Sequence, residues 1–254
     1  MLSSSIFNCP PKRIVCLVPS ITELLHYLGL QTQTVGITKF CIHPPLWHKT
    51  IPHIGGTKNV NIAKIIALQP DCIICSKEEN VLSQIATLAA TTPIFITNVT
   101  NFASSLKMII AIGKLTNKAT QANKLVKEIR QQFAVKIKKP LTAIYLIWQN
   151  PYLTVGGDTF IHSMMQKAGF VNILKNLKRY PTLSISQIQS LAPELILLST
   201  EPFPFKAKHA IALQLLLPNS KVILVNGEMF SWYGSKMLDM PAYFLQLQQY
   251  IALL

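Results

Sequence analysis

The chain has 254 residues, 50% of them hydrophobic and 13% charged, which allows one large domain or two small ones and excludes a disordered chain. Its 24 Lys+Arg against 10 Asp+Glu leave a formal charge of +14, but the lysines are scattered and only Arg13, Arg130 and Arg179 are arginines, so a solvated lysine face is expected and nucleic acid is not. Mean hydropathy is positive, yet the longest apolar runs, 14–18, 109–112, 144–148 and 195–198, fall far short of the roughly 18 residues of a spanning helix.

Residues 1–11 hold no basic stretch followed by an apolar one, so no secretory signal is read there. A cytoplasmic location is expected as written, and a periplasmic one if the start is truncated. A β-branched run at 13–18 reads as a strand. Ser20 and Glu23 have the spacing of a capping box for a helix to residue 28, which Gly29 stops. A strand at 35–38 follows, then a helix from Asn61 to 68 ended by Pro70, a strand at 71–75, a helix at 79–89 and a strand at 93–97. Strands alternating with helices imply a parallel sheet.

From 101 to 138 the pattern changes. Phe102, Leu106, Ile109, Ile112, Leu115, Ala119, Ala122, Leu125, Ile129 and Phe133 recur at helical spacing with no proline. The spacing predicts a continuous or nearly continuous helix of roughly 35 residues, about 50 Å long, with Gly113 as its weak point. After Pro140 the alternation resumes: a strand at 141–148, helices at 158–168 and 184–191, strands at 194–199 and 221–225, and a last helix at 237–254. The expected organisation is an α/β lobe over 1–100, a linking helix over 101–139 and a second α/β lobe over 140–254.

The two lobes repeat one another. Ile62, Ile65, Leu68, Pro70, Asp71, Ile73, Ser76 and Glu78 match Ile185, Ile188, Leu191, Pro193, Glu194, Ile196, Ser199 and Glu201 at a constant offset of 123. Two equivalent α/β lobes joined by a helix imply a cleft between them, lined by the loops after the strand C-termini. Those loops are rich in aromatics: Trp47, Trp148, Trp232, Phe40, Tyr152, Phe203, Phe205, Phe230 and Tyr233, with Tyr180 before a helix. Half of the acids, Glu78, Glu79, Asp158, Glu201 and Glu228, fall in the same kind of loop. Such a lining suits a large, flat, partly apolar ligand whose amides meet carboxylates.

The five cysteines, an odd count, argue against a disulfide framework. Cys72 and Cys75 form a CxxC on a strand, where residues three apart face opposite ways. His43, His48 and His53 near Cys41 leave a metal site or an enzyme open as one alternative. Gly55-Gly56 and Gly156-Gly157-Asp158 do not complete a phosphate loop. No nucleophile–base pattern is found, and an enzyme is not expected.

The run Arg13-Ile14-Val15-Cys16-Leu17-Val18-Pro19-Ser20-Ile21-Thr22-Glu23 resembles the opening of helical-backbone (class III) periplasmic substrate-binding proteins. These serve ABC importers of cobalamin and iron–siderophores. The likeness continues through Val35-Gly36-Ile37-Thr38, Pro44-Pro45, Pro70-Asp71, Asn80 and the aromatic loop from Trp148 to Tyr152, and the pattern is nearest to the cobalamin-binding branch. The resemblance implies two Rossmann-like lobes bridged by a rigid helix, no catalysis, no required cofactor, and a corrinoid such as cobalamin as ligand, with an iron–siderophore or haem as the alternative. The ligand residues it implies, together with the acids and aromatics above, are Phe40, His43, Ser76, Lys77, Trp148, Tyr152, Tyr180, Glu201, Glu228, Phe230 and Trp232. Tryptophans of the family pattern near Gly55-Gly56 and near Ser76 are absent. Importer-docked members carry a glutamate on each lobe where Ala63 and Ser186 stand here, so delivery to an ABC permease is not expected, though such a partner stays open, and an intracellular or orphan binding protein of this superfamily is expected. A monomer is expected.

Overall fold

The computed structural model describes residues 9–134 and 140–253. The chain divides into two compact units. The first comprises Met1–Val99, Ala103–Arg130 and Trp232–Met237, and the second Thr100–Phe102, Gln131–Ser231 and Leu238–Leu254. Among the described residues no helix is long and apolar enough to cross a membrane.

The first unit is built from β1 (Ile14–Cys16), α1 (Pro19–Tyr27), β2 (Thr34–Ile37), α2 (Pro45–Thr50), α3 (Ile62–Ala67), β3 (Cys72–Ser76), α4 (Leu82–Ala89), β4 (Ile94–Thr97), α5 (Phe102–Leu115) and α6 (Ala119–Gln132). Its four strands pair in parallel in the order β2-β1-β3-β4. The strands β1 and β3 are buried along their whole length, which is why they read as unbroken apolar runs. Val15, Leu17, Ile54, Ile65, Ile73, Ile85 and Leu88 form the core on one face of this sheet.

The second unit contains β5 (Leu141–Leu146), β6 (Tyr152–Leu153), α7 (Phe160–Lys167), β7 (Phe170–Asn172), β8 (Thr182–Leu183), α8 (Ile185–Leu191), β9 (Leu195–Ser199), α9 (Ala207–Leu216), β10 (Lys221–Val225), α10 (Glu228–Ser231) and α11 (Met240–Ala252). Its main sheet is again parallel and four-stranded, in the order β10-β9-β5-β7. Matching β1 to β5, β2 to β7, β3 to β9 and β4 to β10 makes the two orders identical.

The 123-residue repeat is therefore structural, and it extends to atomic detail. Asn61 and Ser184 both cap the helix that follows, each accepting a backbone N–H three residues on. Gln69 (φ 46°) and Ala192 (φ 44°) are both left-handed, one residue before proline. Asp71 accepts from the N–H groups of Lys12 (2.7 Å) and Arg13 (2.9 Å); Glu194 accepts from the N–H (2.7 Å) and hydroxyl (2.8 Å) of Thr142. In each unit the acid after the proline thus secures the start of the sheet's first strand. The hydroxyls of Ser76 and Ser199 each accept the N–H two residues further on, from Glu78 and Glu201.

Two sequence expectations need correction. The long helix is two helices of 14 residues each, α5 and α6, and residues 135–139 lie outside the described residues. Asn117 adopts φ 56°, and the N–H of Lys118 donates to the Gly113 carbonyl at 2.7 Å while that of Asn117 reaches Lys114. This pair of bonds around a left-handed residue is a Schellman stop, and asparagine is the side chain after glycine that best tolerates it. Gly113 is not a weak point but a contact: a Cβ there would overlap the Cβ of Ala122, so its bareness lets α5 and α6 approach closely. The second correction concerns α1. Val18 is its N-cap, with Pro19 in the first turn and no side-chain cap, so Ser20 and Glu23 form no capping box. Glu23 pairs instead with Lys236 at 3.3 Å.

Gly113→Ala is expected to destabilise the protein. The overlap costs about 1–3 kcal/mol, against about 1 kcal/mol returned by helix propensity. Adding Ala122→Gly vacates the space and should recover most of the loss in urea denaturation. A single variant as stable as the parent would show that α5 and α6 do not meet at Gly113.

Candidate functional site

In open parallel sheets the loops beyond the strand C-termini carry the ligand contacts. In the first unit these loops hold Phe40 and His43 after β2, and Ser76 and Lys77 at the end of β3; Trp232 and Tyr233 belong to the same unit. Phe40 is 50% exposed, with Lys39 Nζ 5.2 Å from its ring centre. Gly56 lies against that ring, since a Cβ there would be 3.2 Å from Phe40 Cε2. The His43 ring stands edge-on to Trp232, centroids 5.4 Å apart. Lys77 is exposed, its N–H donating to the Thr97 carbonyl at 2.9 Å.

Beneath these groups lies a polar cluster that sequence reasoning did not assemble. The Tyr233 hydroxyl donates to Glu79 Oε1 at 3.1 Å and stands 3.5 Å from Ser76 Oγ. Burial first, and then the Glu79 charge, push the Tyr233 pKa well above its ordinary value. Asn80 ties the loops together: its Oδ1 accepts the Ser76 N–H at 2.8 Å, and its Nδ2 donates to the carbonyls of Thr57 (3.0 Å) and Leu17 (3.3 Å). One amide thereby fixes the ends of β1 and β3. The Tyr233 contacts span more than 150 residues of chain, so no local pattern announces them.

The second unit supplies Trp148, Tyr152, Tyr180, Glu201 and Glu228. Trp148 is 40% exposed and is propped edge-on by Phe203, centroids 5.6 Å apart; Phe203 rests in turn on Phe205 at 4.7 Å. Tyr152 pairs with Leu183 in the β6–β8 ribbon. The Tyr180 ring lies 5.5 Å from the Arg179 guanidinium carbon. Glu201 accepts the Ser231 hydroxyl. Glu228 is half-buried at the start of α10, and its N–H donates to Asn226 Oδ1 at 3.1 Å.

Several expected site residues are not at the strand-end surface. Phe230 is fully buried, with Tyr145 and Phe244 each 5.1 Å away between ring centres; it is a core residue of the second unit because α10 turns it inward. Trp47 is buried too, its ring edge-on to His26 on α1. Gly156 and Gly157 serve the backbone: their N–H groups donate to Arg179 and Leu177 carbonyls, and a Cβ at either would collide with residues 175–178. Asp158 accepts the Arg179 N–H at 2.6 Å, and Thr159, not Asp158, caps α7.

The metal alternative finds no centre. Cys41 is buried, its sulfur 3.2 Å from the hydroxyls of both Thr22 and Thr38. The His48 and His53 rings lie 4.5 Å apart, and His48 Nδ1 is bonded to the Cys41 carbonyl. His43 turns to Trp232. Among the described residues no group of three or more His, Cys, Asp and Glu side chains is placed to hold an ion. Cys72 and Cys75 are free and buried within β3.

The family model of periplasmic binding proteins matches residues 14–215, spanning both sheets except β10. The chain belongs to the periplasmic binding protein family. Within that family it is 26% identical over 239 residues to a vitamin B12-binding protein of Yersinia pestis, covering 89% of this chain and 82% of that one. It is 28% identical over 202 residues to the uncharacterized ABC transporter substrate-binding lipoprotein YvrC of Bacillus subtilis, covering 73% of this chain but only 63% of YvrC. Among solved structures, the periplasmic vitamin B12 binding protein BtuF of Vibrio cholerae superposes with a TM-score of 0.75 at 22% identity, covering 94% and 98% of the two chains. The periplasmic heme-binding protein RhuT of Roseiflexus reaches 0.78 at 19% identity, covering 92% and 98%. At these identities the two superpositions establish the binding-protein fold. The repeat at an offset of 123 residues relates Ala63 to Ser186. Each is exposed at the second position of its helix, α3 or α8.

Proposed function

We propose that the protein is the ligand-binding component of an ABC uptake system and that its ligand is a corrinoid of the cobalamin type. The observation that carries the reading is an exposed aromatic ring at a strand end of each unit, Phe40 in the first and Trp148 in the second. Both rings follow strand ends and leave about half of their surface open, Phe40 lying against Gly56 and Trp148 against Phe203. Large rings left open at such positions offer flat apolar surface to a broad macrocycle. Glu201 and Glu228 add acceptors suited to peripheral amides. Relatives named as vitamin B12-binding proteins, alignable over most of the chain, support the same class. The role is capture and delivery, with no chemical step, outside the cytoplasm where the family takes its name. Ala63 and Ser186 bring no charge to a permease, so such a partner would use other contacts.

The experiment is a titration with cyanocobalamin. Saturable quenching of tryptophan fluorescence at one ligand per chain is expected, and Trp148→Ala or Phe40→Ala should weaken binding at least about tenfold. Absence of quenching and of heat in calorimetry removes the corrinoid reading. Haem is the second reading, favoured by the cations Lys39 and Lys77 beside Phe40 and Ser76, which suit an anionic macrocycle. Haemin binding that is lost in Lys77→Glu, with no response to cobalamin, would establish it instead.

A further inference from the structure

We propose that α9 of the second unit docks on an anionic lipid bilayer. One stripe of this helix is fully used. Leu213 and Leu217, the latter at the helix end, enter the core of the unit with Ala210 beside them. Gln214 accepts the Val222 N–H at 3.0 Å and donates to the carbonyls of Ser220 and Leu217. These positions recur at helical spacing and seat the helix against β10.

A surface helix ordinarily turns charged and polar residues outward. The outward stripe here is Lys208, Ile211, Ala212 and Leu215. Ile211 is 64% and Leu215 79% exposed, with Leu216 beside them at 49%. Three cations flank the stripe: Lys206 at the N-cap, Lys208 in the first turn and Lys221 at the start of β10 are exposed, against one exposed acid, Glu194, whose carbonyl accepts the Lys221 N–H at 2.9 Å. An exposed apolar stripe rimmed by lysine fits the headgroup–acyl boundary of a membrane. Isoleucine and leucine enter the boundary while the ammonium groups meet lipid phosphates. The formal charge of +14 opposes a second copy of the chain as the occupant. This inference is independent of the ligand the protein carries.

The test is co-sedimentation of the full chain with vesicles. Binding to vesicles rich in phosphatidylglycerol is expected, about a hundredfold weaker on phosphatidylcholine alone, as three lysines near an anionic surface require. Ile211→Glu with Leu215→Glu should weaken it at least about tenfold. Lys206→Gln, Lys208→Gln and Lys221→Gln together should weaken binding to the anionic vesicles at least about tenfold, whereas Lys118→Gln, Lys124→Gln and Lys127→Gln together, in and just before α6, should leave it within about twofold. Ile211→Ser with Leu215→Ser serves if the glutamates disturb folding, with unchanged circular dichroism and melting as the control. Failure to bind either vesicle, or binding indifferent to the apolar substitutions, overturns the proposal. So does a dimer in sedimentation that the same substitutions dissolve, since the stripe would then be an interface between copies.

Discussion

Phe230→Ala should cost about 3–5 kcal/mol of stability, the usual range for removing a fully buried aromatic. The ring is sealed among Tyr145, Tyr243 and Phe244, and α10 is too short to collapse into the space without moving α11. Tyr243 would lose a neighbour while its hydroxyl still holds the Asn226 N–H at 2.8 Å, which limits relaxation further. Trp148→Ala supplies the contrast. Its ring is 40% exposed, so it should cost far less stability while weakening ligand binding. Urea denaturation of the two variants separates the roles. A Phe230→Ala protein as stable as the parent but defective in ligand binding would return Phe230 to the site and refute its place in the core.

That contrast shows what the sequence can and cannot say about loops. Phe230 and Trp148 both follow strands and look alike in one dimension. Only the short α10 turns one ring inward, and four residues are too few to show periodicity. The repeat was legible because helix, proline stop, acid and buried strand are all local signals, each with its own physical cause. The matching roles of Asp71 and Glu194, clamping the first strand of each sheet, were not legible, because their partners lie more than 50 residues earlier. The break at Asn117 was hidden for the opposite reason. The apolar spacing continues in phase across it, and a single asparagine is the local sign of a stop. The helix α9 escaped notice because it is apolar on two opposite faces, which erases the amphipathic signal. Of the site, the aromatic positions were visible from strand ends, whereas the Tyr233–Glu79 and Asn80 contacts depend on chain segments that only the fold brings together.

Alkaline pH should unfold this protein over a narrow range. Burial raises the pKa of four thiols. Cys75 is pushed up to about 12, Cys72 rises further with Asp71 beside it, Cys16 is raised further by Cys41, and Cys41 itself is raised. Burial likewise raises Tyr145, Tyr233 and Tyr243. A group whose folded pKa lies above its unfolded value keeps its full contribution below the unfolded value. It loses that contribution as pH climbs toward the folded one. The unfolded thiols ionise near 9.0 and the tyrosines near 10.0, so stability should be level up to about pH 8 and fall beyond. Each thiol ionised only in the unfolded chain costs about 1.4 kcal/mol per pH unit. Four of them approach about 5.5 kcal/mol per unit, roughly the whole stability of a small domain within two pH units. Circular dichroism from pH 8 upward should therefore show a steep loss. Replacing Cys72 and Cys75 by Ala should lower stability at neutral pH through lost packing, yet make its decline above pH 9 shallower by about 3 kcal/mol per unit. Stability that stays level through pH 11 would mean these thiols and phenols reach solvent in the folded state, and the close burial of β1 and β3 would be refuted with them.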